Sequence, residues 1–122
     1  MTRPDLLLPV AFAAALTAWN PAAAMPYELT GDRFVQWMSH AEPMGELDYR
    51  DREKAYSYLD GVKDAGVGTF WCPAKPRKTF ELAYDAADHI RGLPAEARKG
   101  NAAQMLLSFL ASRYPCTKGV IR

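Results

Sequence analysis

The sequence predicts an all-α domain, a small bundle of about four helices closed by one disulfide, preceded by a removable export segment. Apolar residues recur at helical rather than alternating spacing. Glycine and proline fall mainly between these stretches, as helix stops. The cysteines, Cys72 and Cys116, follow an N-terminal stretch with the layout of a secretory signal.

In that stretch Arg3 precedes the apolar run Leu6 to Ala18, Asn20-Pro21 favours a turn, and Ala22, Ala23 and Ala24 supply the small residues of a cleavage point after Ala24. The apolar run falls short of the ~20 residues that cross a bilayer, and Pro9 interrupts it. Asp5 is an unfavourable charge for a signal. No cysteine lies near the cleavage point and no arginine pair precedes the run, so neither a lipid anchor nor twin-arginine export is indicated. The expected organisation is a signal over residues 1–24 and one domain over residues 25–122. Removing the signal takes one Arg and one Asp, so the formal charge stays at +1. A balance this even gives no electrostatic ground for nucleic acid or an anionic membrane as partner.

The first helix is expected from about Asp32 to Ala41, capped by Thr30 or Asp32, with Phe34, Val35 and Met38 inward and Pro43 and Gly45 as stops. The second spans about Asp48 to Ala65, with Ala55, Tyr56, Leu59 and Val62 on its apolar face and Val67 beyond it. Gly61 lies inside this pattern; an interior Gly costs about 1 kcal/mol against Ala, which points to a neighbour approaching the backbone there. Gly66 and Gly68 end the helix, and Phe70 and Trp71 are expected to cover one end of the core. The third starts near Thr79 as its cap and buries Phe80, Ala83, Tyr84, Ala87 and Ile90. After Gly92-Leu93-Pro94 a fourth runs from about Ala95 to Tyr114, with Ala102, Ala103, Leu106, Phe109 and Leu110 inward, and Pro115 ends it.

Exported chains fold where disulfides persist, so pairing Cys72 with Cys116 is the natural inference. Closing the 44 positions between them removes denatured-state entropy equivalent to ~4 kcal/mol. For a domain of this size, which buries only about two-thirds of its unfolded surface, that is a large share of stability.

Candidate chemistry is sparse. His40 and His89 sit near helix C-termini, where a cation is favoured. Cys72 or Cys116 as a thiol nucleophile would leave the other unpaired in an oxidising compartment. A zinc site from these cysteines and histidines has suitable residue types but no short ligand spacing. Gly66-Val67-Gly68 lacks the rest of a dinucleotide fingerprint. Lys75, Arg77 and Lys78 can meet an acidic partner or simply solvate a loop. Asp60 and Asp64 share a helix face, as a carboxylate pair needs, but solvation explains them equally. No active site emerges, which favours a binding role over catalysis.

Tyr58-Leu59-Asp60-Gly61-Val62-Lys63-Asp64, Trp71-Cys72-Pro73, Leu93-Pro94 and Ala102-Ala103 through Leu106, Leu110 and Tyr114-Pro115-Cys116 occur in an order that resembles the Rap/Tai family of immunity proteins associated with type VI secretion. The resemblance covers about Gly31 to Cys116. It implies a periplasmic, all-helical protein, often homodimeric, with a disulfide matching Cys72 and Cys116; from the residues themselves, no cofactor and no metal are expected. It also implies a role in binding and blocking a peptidoglycan amidase toxin by occluding its active-site cleft. The connection Arg91-Gly92-Leu93-Pro94-Ala95-Glu96 is the candidate contact, with Arg91, Gly92, Leu93, Pro94 and Glu96 as its partner-binding residues. Sharing a scaffold does not establish a function, so a periplasmic structural or chaperone-like helical protein is the alternative, marked by an exposed apolar patch.

Overall fold

The computed structural model describes residue 2 and residues 29–117. The export segment and its cleavage point after Ala24 therefore lie, apart from Thr2, outside the described residues. The described residues form five helices in the order α1 (Gly31–Met38), α2 (Glu46–Gly66), α3 (Thr79–Arg91), α4 (Ala95–Arg98) and α5 (Ala102–Arg113), with no strand among them. The all-α bundle with one disulfide is as the sequence predicts.

Helix α1 begins where Thr30 Oγ1 accepts the Arg33 amide at 3.2 Å. It stops at Met38, short of Ala41, because Ser39 turns to extended backbone while its hydroxyl donates to the Val35 carbonyl at 2.7 Å. Helix α2 starts earlier than expected because Asp48, in its first turn, reaches back to accept the Gly45 amide at 2.9 Å. At its far end the Gly66 carbonyl accepts the amides of Thr69, Phe70 and Trp71, and the chain reverses through Gly68, whose φ of 81° suits glycine.

Thr79 is the first residue of α3 rather than its cap. Its hydroxyl instead joins α3 to α2, meeting Asp60 and the Lys63 ammonium, which also donates to the Arg77 carbonyl at 2.9 Å. The buried face of α3 is Leu82, Ala83, Ala86, Ala87 and Ile90, so Phe80 and Tyr84, expected inside, stand exposed beside it. The alanine-rich face fixes the helix's rotation, and the aromatics flank it.

The expected fourth helix is two. Its break at residues 99–101 follows from backbone pairing with the start of the domain: the Gly31 amide donates to the Gly100 carbonyl at 3.1 Å and the Ala102 amide to the Leu29 carbonyl at 2.9 Å. Thr30 and Asn101 form the antiparallel bridge between these bonds, and Asn101 Oδ1 caps α5 by accepting the Ala103 amide at 2.9 Å. Gly31 permits this close approach, since an added Cβ would collide with Met105 Sδ and lie 3.0 Å from the Arg98 carbonyl. Gly61, the glycine that the sequence pattern points to for such a role, is open instead: a Cβ there would meet nothing within 4 Å. The close approaches belong to Gly31 and to Gly66, whose Cβ would stand 2.6 Å from Leu107 Cδ2.

Phe34, Leu59, Ile90, Leu106 and Leu110 are the largest fully buried side chains, and small Ala55, Ala83, Ala86, Ala87 and Ala102 let the helices close around them. Helix α1 packs against α2, α3 and α5. Trp71 covers one end of the core at 2% exposure, its indole donating to the Lys63 carbonyl at 2.9 Å, while its neighbour Phe70 points to solvent. Val67 is exposed as well. Cys72 and Cys116 are bonded, with Cα atoms 4.8 Å apart, and the Cys72 amide donates to the Tyr114 carbonyl at 2.8 Å. The exit of α2 is thus tied to the exit of α5.

Candidate partner-binding surface

The disulfide settles the chemistry of the cysteines. Each sulfur is consumed by the other, so neither is a thiol nucleophile nor a zinc ligand. Among the described residues no group of His, Cys, Asp and Glu is placed to hold a metal ion. His89 lies in the last turn of α3 with its ring 5.5 Å from that of Phe109, and His40 lies past α1, edge-on to Tyr84. The histidines and cysteines therefore do not converge. Asp60 is engaged with Thr79 and Lys63, which makes it part of the α2–α3 junction rather than half of a carboxylate pair.

The connection Arg91–Glu96 does form one compact feature. Gly92 caps α3, its amide donating to the Asp88 carbonyl at 3.2 Å, and the Leu93 amide donates to the Ile90 carbonyl at 3.0 Å. Pro94 then caps the single turn of α4. The backbone of this turn is held from beneath by Arg98, a residue that motif reading misses. Its Nη1 donates to the carbonyls of Leu93 at 2.8 Å and Arg91 at 3.3 Å, and its Nε pairs with Asp32 of α1 at 2.9 Å. One guanidinium thus fastens the connection to the first helix, a use of its planar fork that Lys could not reproduce.

Held this way, the connection displays Arg91, Gly92, Pro94 and Glu96 to solvent, with Leu93 half-buried. Arg91 bonds Asp88 and donates to Ser39 Oγ at 3.1 Å, and Glu96 pairs with Lys99 at 2.8 Å. Behind the turn, a recess of about 290 Å³ is lined by His89, Leu93, Ala97, Asn101, Gln104 and Met105 among others. An exposed turn fixed by these bonds beside a recess suits docking against another protein, since little ordering entropy remains to be lost on binding.

The surface continues from Arg91 through Ser39 and His40 to an aromatic cluster on α2 and α3. Arg52 lies 5.2 Å from the ring centre of Tyr49 and 5.8 Å from that of Tyr56, and donates to Tyr84 Oη at 3.5 Å. The spacing 49, 52, 56 is a helical stripe, so the α2 half of this cluster is visible in the sequence; Tyr84, whose spacing suggests core, joins it only in the fold. Burial first, and then the neighbouring Tyr84 hydroxyl, push the Tyr56 hydroxyl above its ordinary value. A groove of about 860 Å³ shares Tyr49 with this cluster, its apolar walls being Trp37, Tyr49, Tyr58 and Leu29 and its charged rim Glu46, Arg50, Glu53 and Lys54. The basic cluster lies away from these features: Arg77 stacks 4.8 Å from the Tyr114 ring and Lys78 lies 5.8 Å from that of Phe80.

Among known proteins, residues 30–116 match the Rap1a immunity proteins. No curated protein matches the chain. The match runs from the cap of α1 to the second cysteine of the disulfide, taking in every helix of the bundle and the Arg98-held turn. The chain belongs to the Rap1a immunity protein family.

Proposed function

We propose that this chain is a periplasmic immunity protein that binds a type VI peptidoglycan amidase toxin and blocks it by occluding its active site, without catalysis of its own. Residues 1–24 act as its export signal, leaving residues 25–122 as the working domain. The observation that carries the reading is the Arg91–Glu96 turn, presented by the family's fold and locked from below by Arg98. A solvent-exposed turn whose backbone is already held in place suits insertion into a cleft, and a domain stapled by a disulfide suits an oxidising compartment. A homodimer belongs to the same proposal.

The test begins with oxidised protein used as bait on periplasmic and secreted fractions. Recovery of one amidase at fixed stoichiometry, with its peptidoglycan hydrolysis lost as the complex forms, supports the reading. Replacing Arg91 and Glu96 by Ala should weaken that inhibition while leaving the unfolding midpoint in place. Retention of no specific protein, or inhibition untouched by those replacements, overturns it. Sedimentation of the free protein reports whether it is a dimer.

A further inference from the structure

Arg52 differs from most arginines of this domain. Arg50, Arg91, Arg98 and Arg113 each pair with a carboxylate. Arg52 has no such pair among the described residues: it meets the Met44 sulfur at 3.4 Å, Tyr84 Oη at 3.5 Å and the two tyrosine rings, and its Nε has no hydrogen-bond partner. A sulfur and a long phenol contact are poor acceptors for a guanidinium, and with Nε buried the donors left for an incoming group are those of the terminal nitrogens. Tyr84 Oη accepts from Arg52 and also meets the Tyr56 hydroxyl. Of the acids on the neighbouring stretches, Asp48 caps Gly45, Asp51 pairs with Lys54, and Glu42 leans toward His40 at 3.9 Å.

We infer that Arg52, with Tyr84 beside it and the rings of Tyr49 and Tyr56 around it, is a carboxylate-accepting hot spot that docks an acidic side chain of a partner protein. A guanidinium without a carboxylate partner, framed by the Tyr49 and Tyr56 rings, binds an incoming carboxylate through charge-assisted bonds. The residue types are those that dominate protein interfaces, arginine and tyrosine rather than lysine and glutamate. Tyr49 and Tyr84 are 51% and 40% exposed, large apolar surfaces left uncovered at the rim. The cluster adjoins the Arg91 turn, because Arg91 reaches Ser39, next to His40, whose ring lies 6.3 Å from that of Tyr84. The inference rests on the immunity reading only in taking the occupant to be a protein.

Two measurements separate the two claims. In the first, N-acetylaspartate is titrated into isotopically labelled oxidised protein while the Arg52 Nε–H and Tyr84 ring signals are followed, with N-acetylasparagine as the uncharged control. A saturable shift at both residues with the carboxylate alone, in the millimolar range, and its loss in Arg52→Gln, is expected. Equal, unsaturated shifts at Arg33, Arg50 and Arg113 would reveal only general charge attraction and overturn the site. In the second, the partner captured by the wild-type protein is offered to Arg52→Gln, Arg52→Lys and Tyr84→Phe proteins. Affinity should fall at least about tenfold for Arg52→Gln and less for Arg52→Lys, which keeps charge but not the fork, with the unfolding midpoint of Tyr84→Phe unchanged. A partner held equally by all variants overturns the inference and leaves the immunity reading standing. If the wild type captures no protein, the immunity reading fails and the titration alone decides whether the carboxylate site exists.

Discussion

Replacing both cysteines with alanine isolates what the disulfide contributes. The bond spans 44 positions, and closing a segment of that length restricts the denatured chain by an amount equivalent to about 4 kcal/mol. The native state should change little, because its contacts at that end do not pass through sulfur. The Cys72 amide still meets the Tyr114 carbonyl, Trp71 still packs edge-on to Tyr114 at 5.9 Å, and Arg77 still stacks on the same ring. Against a net stability of about 5–15 kcal/mol the loss is large. At about 4–8 °C per kcal/mol for a domain of this size, the midpoint should fall by roughly 15–30 °C. Urea unfolding followed by tryptophan fluorescence should show the lower stability together with a steeper dependence on denaturant, since the uncrosslinked chain expands more when it unfolds. A loss below about 1 kcal/mol with unchanged slope would refute the reasoning and place the domain's stability in its core alone.

Glycine replacements should move stability in opposite directions. Gly61→Ala raises it by about 0.5–1 kcal/mol, since the position is helical and open, whereas Gly31→Ala lowers it by about 1–3 kcal/mol, because the Arg98 carbonyl cannot swing away from the new methyl. Chemical denaturation of the two variants checks this, and the same sign for both would sink it. Asn101→Ala removes the α5 cap and should cost about 1 kcal/mol, while Gln104→Ala, exposed in the first turn of that helix, should cost far less. Tyr56→Phe should change the pH dependence of stability only in alkali. The folded state holds the Tyr56 proton more tightly than the unfolded chain, so its contribution is present below the unfolded value of about 10 and is lost as pH rises through the higher folded value. The wild type should therefore lose more stability than the variant above pH about 10, and parallel curves there would contradict the assignment.

Most of the bundle is legible in the sequence because its helices announce themselves locally. Phe34, Met38, Ala55, Leu59, Val62, Ile90, Leu106 and Leu110 fall at helical spacing and are all buried. What the sequence hides depends on neighbours the local pattern does not contain. The break at residues 99–101 answers to hydrogen bonds with the Leu29 carbonyl and the Gly31 amide, some seventy positions away in the chain. The rotation of α3 is decided by which residues let other helices come close, and alanines win over Phe80 and Tyr84. The same competition hides half of the arginine cluster, because an aromatic counted as core cannot also be counted as surface. The Arg91–Glu96 turn is marked by the family resemblance and its Gly-Leu-Pro stop, but Arg98 acts on carbonyls, which leave no trace in residue type.

That mode of support bears on how such a protein can change over time. Arg98 grips the carbonyl oxygens of Arg91 and Leu93, atoms that every amino acid carries. Side chains along the turn can therefore be exchanged one at a time while its shape persists, so a lineage facing altered toxins is able to explore new chemistries at the tip without first solving the folding problem again. Variation would be cheap at Arg91 or Glu96 and costly at Arg98, where a single change disturbs the whole display.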